Sequence, residues 1–242
     1  MQAWFARVRA DFILNFVEDE RWRYLVTGLE NTLIITLLSG LMGLVLGVII
    51  AMIRSTYDKT RDTARPTLRR KLFGVLDRFC RVYLTVIRGT PVVVQLLIIY
   101  CVILASMRNG VIVAALAFGL NSGAYVAEIV RGGIMSIDNG QFEAGRSLGF
   151  NYLQTMRFIV IPQTVKNVLP SLANEMIALL KETSIAGYVA VQDLTKAGDI
   201  IRSRTYSPFM PLLAVALIYL VLVMFFTWLV GKLERRLRNS DH

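Results

Sequence analysis

The residues best placed to do chemistry in this chain form one punctuated polar segment and a few acids set among apolar runs. The segment is Glu143-Ala144-Gly145-Arg146-Ser147-Leu148-Gly149, followed by Ile159-Val160-Ile161-Pro162. Its residue types suit recognition rather than bond-making. Small residues beside an acid, then a glycine free to take positive φ, describe a short helix pressed against a partner surface and ended sharply. Gly145 in place of alanine loosens such a helix by about 1 kcal/mol. Catalytic groups are scarce. The one histidine is the last residue, and Cys80 and Cys101 have no close-spaced partner, so neither histidine catalysis, a disulfide nor a metal site is implied. No Gly-x-x-x-x-Gly-Lys-Ser/Thr segment cradles a phosphate. If ATP drives this protein, another chain binds it.

The second set lies inside the apolar runs. Asn121, Tyr125 and Glu128 fall on successive turns of one helical face, with Ser122 beside them, and Glu175 and Glu182 share one face of a later segment. Polar groups buried in hydrocarbon are costly unless paired or watered, so two such faces meeting would enclose a polar cavity. By residue count Asn121 and Glu175 stand near mid-membrane, Glu128 toward the cytoplasmic end and Glu182 toward the outer one. The carboxylates lean toward a cationic or zwitterionic ligand. Glu128 has a second reading as an interfacial ion pair with Arg131, Lys181 and Glu182 as mutual or interhelical pairing, and Gln95 as a hydrogen bond to a neighbouring helix.

The elements that must position these residues are membrane helices. The chain has 242 residues, 55% of them hydrophobic, more than a soluble domain hides. Apolar runs at 33–53, 89–107, 111–127 and 205–230 approach or exceed the roughly 20 helical residues a bilayer needs. A fifth, at 167–187, carries Glu175, Lys181 and Glu182, which must face protein or water there. With five spans and the N-terminus outside, the inner segments 54–88, 131–166 and 232–242 hold eighteen Lys and Arg against eight in the outer segments. Positive residues gather on the cytoplasmic side, so this is the expected orientation. The net charge of +10 then calls for anionic lipid headgroups and no nucleic acid. The first residues lack a signal-peptide pattern, since Asp11, Glu18, Asp19 and Glu20 surround their short apolar stretch. Trp4, Phe5, Phe12, Ile13 and Phe16 describe an amphipathic outer-face segment over 1–23. Residues 54–81, with nine basic and three acidic residues and Pro66, read as a basic cytoplasmic loop containing a short helix. Gly43 and Gly47 have the spacing of closely packed helices, within the subunit or across a dimer.

The polar segment resembles the cytoplasmic loop of the membrane subunits of ABC importers. That pattern is Glu-Ala-Ala, three residues, Gly, nine residues, Ile, one residue, Leu-Pro, from which Gly145 and Ile161 are the departures. Two further motifs narrow the resemblance to the permease subunits of polar amino-acid uptake systems: Arg88-Gly89-Thr90-Pro91 with Gln95, and Ser122-Gly123-Ala124-Tyr125-Val126-Ala127-Glu128 with Arg131-Gly132-Gly133. The likeness runs from about residue 28 to 238. Thr90 suits a helix N-cap and Pro91 a first helical position. Residues 139–148 read as a short coupling helix within a coupling loop at 132–165. Gly149 is its turn, and Asn151 with Gln154 begins an amphipathic helix ending at Pro162.

The resemblance implies an all-α permease domain of a type I ABC importer, with about five transmembrane helices in the bacterial inner membrane. Glu143, Ala144, Gly145, Gly149 and Pro162 would meet a dimer of ATP-binding subunits that carries ATP and Mg, this chain holding no cofactor. A second permease subunit, identical or homologous, would complete the pathway, and an extracytoplasmic solute-binding protein would deliver the amino acid. Asn121, Ser122, Tyr125, Glu128 and Glu175 are the candidate pathway residues. The rival from another class is an ion-coupled secondary carrier, against which stands the absence of an inverted repeat or paired broken helices. A membrane-embedded enzyme would need a nucleophile and base that the chain does not offer.

Overall fold

In a computed structural model that describes residues 1–60 and 68–238, the chain is built from helices, with no strand among the described residues. α1 (Gln2–Phe12) runs through a π turn into a sharp corner where Asp19 and Glu20 take positive φ. α2 (Trp22–Thr60) has 39 residues without a proline, about twice what a bilayer core needs. α3 (Leu68–Gly89) and α4 (Val92–Ile98, continued by a π turn to Ile103) are separated by a break at Thr90 and Pro91. α5 (Gly110–Met135), α6 (Asn139–Ser147) and α7 (Tyr152–Thr155) follow. A π turn at Met156–Val160 then leads into α8 (Ile161–Glu182), and after a 3₁₀ segment come α9 (Leu194–Thr205) and α10 (Phe209–Arg238). By length and composition α2, α5 and α10 can cross a membrane among the described residues, and α3 with α4 passes the same test only when the two are taken together as one broken span. The fifth expected span, 167–187, falls on α8 and the 3₁₀ segment after it, and α8, with Lys166, Glu175, Lys181 and Glu182 along it, is not among the described helices apolar enough to pass that test.

Two local expectations change. The stretch read as a basic loop is helical wherever it is described, α2 continuing to Thr60 and α3 beginning at Leu68, while 61–67 with Pro66 lie outside the described residues. Arg54, Asp58, Asp77 and Arg81 of this stretch are knitted into ion pairs, while Lys71 and Arg78 are exposed. The Thr90 hydroxyl donates back to the Val86 carbonyl at 2.8 Å, closing the end of α3. Finally, the helix does not end at Pro162. Backbone helix runs from Tyr152 through Glu182, with a π turn at Met156–Val160 just before Pro162 and a second proline, Pro170, inside α8.

The chain divides into two compact units. One comprises Met1–Ser39, Val93–Phe118 and Ile177–Leu229. Its core joins Leu25, Leu194, Ala197, Ile201 and Val215. Asp193, fully buried, caps α9 by accepting from the Thr195 and Lys196 amides at 2.9 and 3.1 Å. Burial pushes its carboxyl above the ordinary value and those bonds counter the push. Gly28 lets α2 approach this cap so closely that a Cβ would stand 2.7 Å from the Asp193 carbonyl oxygen. On α9 the Lys196 ammonium, then burial in the opposite sense and Arg202, set the Asp199 carboxyl below its usual range. Trp4, Phe5, Phe12 and Ile13 are exposed as an amphipathic segment requires, whereas Phe16 packs on the core.

The other unit comprises Gly40–Val92, Gly119–Met176 and Val230–His242. Here α2, α3 and α5 share a core of Ile50, Cys80, Leu84, Ala124 and Ala127. A second cluster runs from Ala51 through Val126, Val130 and Ile134 to Met156 and Val160. Gly43 and Gly47 pack within the subunit: a Cβ at 47 would meet Val126 Cγ1 at 2.5 Å and the Ala127 nitrogen at 2.8 Å.

Candidate functional site

α6 is built by local signals that the sequence carries. The Asp138 carboxylate caps it by accepting from Gly140 N–H at 2.6 Å. At the other end Gly149 takes φ +79°, its N–H bonds the Arg146 carbonyl at 2.9 Å, and Phe150 N–H reaches the Gly145 carbonyl at 3.0 Å. This paired closure needs a residue at ease in the left-handed region, which is why glycine stands there. Asn151 and Gln154 then exchange bonds of 2.9 and 3.0 Å as a capping box for α7.

Gly145 is buried, and a Cβ there would stand 2.7 Å from Thr155 Oγ1 and 2.8 Å from its Cγ2. The glycine thus seats α6 on α7, so its low helix propensity is offset by a contact alanine could not make. Lys59 at the end of α2 donates to Asn139 Oδ1 at 2.7 Å and lies 4.5 Å over the Phe142 ring, tying α6 to α2. Together with Glu143, Arg146, Tyr152 and Thr155 they line a recess of about 390 Å³. Burial raises the Tyr152 phenol above its ordinary value. Glu143, Ala144, Arg146 and Gly149 are exposed, as are Pro162 and three apolar side chains nearby, Leu148 at 70%, Leu153 at 75% and Phe158 at 60%. Large apolar groups this open are unsuited to water.

Among the intramembrane candidates, Ser122 and Glu175 meet. Ser122 Oγ, 1% exposed as a residue, donates to Glu175 Oε1 at 3.2 Å, bonding α5 to α8 within one unit. Asn121 is buried at 2% and Tyr125 half-open at 36%. Gln95 is buried on α4. In the other unit Lys181 is exposed and Glu182 half-buried.

Glu128 joins a charge network of which only its Arg131 member was visible in the sequence. Arg54 donates to Glu128 Oε1 at 2.8 Å, Arg88 Nη1 stands 3.6 Å from Oε2, and Arg131 Nε 4.0 Å from Oε1. Buried Asp77 takes Arg81 at 2.8 Å and faces Arg54 at 3.8 Å, while Asp58 takes Arg131 at 3.1 Å and faces Arg81 at 3.7 Å. Arg54, Arg81, Arg88, Tyr125 and Glu128 line a cavity of about 560 Å³, with Leu84, Thr85 and Gly89 completing its wall. The four-residue step from Asp77 to Arg81 is the one further signal of this network in the sequence.

The comparisons with known proteins bear on family and fold. A family model described as "Binding-protein-dependent transport system inner membrane component" matches residues 43–239. The chain is 40% identical over 166 residues to a putative glutamine transport system permease protein of Rickettsia typhi, covering 67% of this chain and 76% of that protein. It is 39% identical over 162 residues to an arginine transport system permease protein of Bacillus subtilis, covering 66% and 74%. Its fold matches, with a TM-score of 0.78 and 37% identity, a chain in a crystal structure of an amino acid ABC transporter with histidines, over 91% of this chain and 98% of that one.

Proposed function

The chain belongs to the family of binding-protein-dependent transport system inner membrane components, and on that premise we propose that it is the permease subunit of an ATP-driven importer of polar amino acids. It is a multi-pass membrane protein with the all-α fold of type I importer membrane domains. The observation that carries the reading is α6, an exposed, capped helix with open apolar neighbours and no nucleotide motif anywhere in the chain. The ATP-hydrolysing subunits would receive Glu143, Ala144 and Gly149 in a groove, and the continuous helix from Tyr152 through Pro162 into α8 would carry their closure to the membrane. The polar class of substrate rests on the glutamine and arginine permeases it resembles and on Glu175 and Ser122 between apolar helices. A second permease subunit would cover the open apolar face of α10, and a solute-binding protein would dock outside, with the N-terminus on that side.

The test is coupling in the complex reconstituted with its cognate ATPase. Glu143→Ala, and more severely Gly149→Val, should leave the chain membrane-inserted while releasing the ATPase or letting it hydrolyse ATP without transport, because valine at φ +79° is strained. Wild-type assembly and transport ratios in both variants would overturn the assignment of α6.

A further inference from the structure

The cavity lined by Arg54, Arg81, Arg88, Tyr125 and Glu128 has a charge balance that its own ion pairs do not close. Asp77 and Asp58 are shared between Arg54, Arg81 and Arg131, and Glu128 is held at 2.8 Å by Arg54. In this network of the described residues Arg88 has the loosest hold. Its contact with Glu128 is 3.6 Å, its side chain is 45% exposed, and its guanidinium lies 5.7 Å from the Tyr125 ring centre. Four guanidiniums facing three carboxylates leave one positive charge in excess, carried where the wall is open. At Gly89, beside it, a Cβ would meet nothing within 4 Å. The volume of about 560 Å³ is that of a small-molecule site.

Resting on the permease reading above, we infer that this cavity holds the carboxylate of the transported amino acid on Arg88. A planar guanidinium takes a carboxylate through two parallel N–H···O bonds, and the Tyr125 face holds the fork in place without competing for its donors. Arg54 and Glu128 act as positioning residues: Arg54 occupies Glu128 and so keeps that carboxylate from closing fully on Arg88. The C-terminal end of α3, at Gly89, carries partial negative charge that suits the ammonium of the same molecule. This makes the cavity a zwitterion site rather than a general anion site.

The test is equilibrium binding of labelled L-arginine and L-glutamine, and of their α-carboxamides, to the permease–ATPase complex in nanodiscs without the solute-binding protein. Wild type should bind the acids about tenfold to a hundredfold more tightly than the amides, the range for a charge-assisted bidentate contact. Arg88→Gln should lower acid affinity to the amide level and leave the amides unchanged, with Arg88→Lys between. Equal binding of acid and amide by wild type, or no binding, overturns the inference even if Arg88→Gln fails to assemble. An equal loss of acid and amide in Arg88→Gln, or displacement by inorganic phosphate or by phosphatidylglycerol in the nanodisc, also overturns it. Uptake driven by an ion gradient with acid and amide still discriminated would instead remove the importer reading and leave the site standing.

Discussion

Gly145 and Glu175 carry the two most specific expectations at the level of single residues. Alanine at 145 gains about 1 kcal/mol of helix propensity but pushes a methyl to 2.7 Å from the Thr155 hydroxyl, and overpacking costs about 1–3 kcal/mol. Gly145→Ala should therefore cost up to about 2 kcal/mol net, read as a lower thermal midpoint of the purified complex. Thr155→Ala in the same chain should restore it; a single variant as stable as wild type would mean the contact relaxes freely. Glu175→Gln keeps an acceptor for Ser122 Oγ while removing a charge. Uptake at equal subunit content should fall, and fall further for arginine than for glutamine; unchanged rate and preference would leave Glu175 a structural role. Residues that act through near neighbours in sequence were legible beforehand. Asn151 with Gln154 and Gly149 at positive φ are such cases, since a cap or a turn is decided within a few positions. Arg54 and Arg88 were not legible, because a basic residue paired across helices looks in sequence like one that merely sets topology.

At the scale of elements, α2 and α5 depend on backbone approach at Gly47. Gly47→Ala would place its methyl 2.5 Å from Val126 Cγ1 and 2.8 Å from the Ala127 nitrogen, and a backbone atom cannot step aside as a side chain can. We expect a loss of about 1–3 kcal/mol, seen as reduced recovery of folded protein in detergent, with Val126→Ala rescuing it only in part. Full rescue would place the whole contact on the side chain. The Gly-x-x-x-Gly spacing announced a close approach in the sequence, but which helix receives it is tertiary information. The same limit explains Pro162. A proline within a helical pattern reads as a stop, but here the helix continues past Pro162, just after the π turn at Met156–Val160, and past Pro170 inside α8. α6 was placed correctly to within a residue because both of its ends are written locally.

On the scale of the whole molecule, α10 is the helix that exposes most apolar surface. Leu212, Leu217, Leu220, Val221, Phe225 and Trp228 are all exposed along it, suited to lipid or to a second subunit and unsuited to water. The membrane class and the helical architecture follow from composition and from run length. The division into two compact units does not, since each draws on three separate stretches of chain. The central claim is that transport through this subunit is driven by ATP hydrolysed on another chain. The direct measurement is uptake of labelled arginine and glutamine into proteoliposomes containing the permease with its ATPase, with the solute-binding protein outside. ATP with Mg inside, or an imposed proton or sodium gradient, supplies the drive. The account predicts accumulation only with internal ATP, and none when the ATPase subunit is omitted. Uptake by this chain without the ATPase on an ion gradient would contradict it.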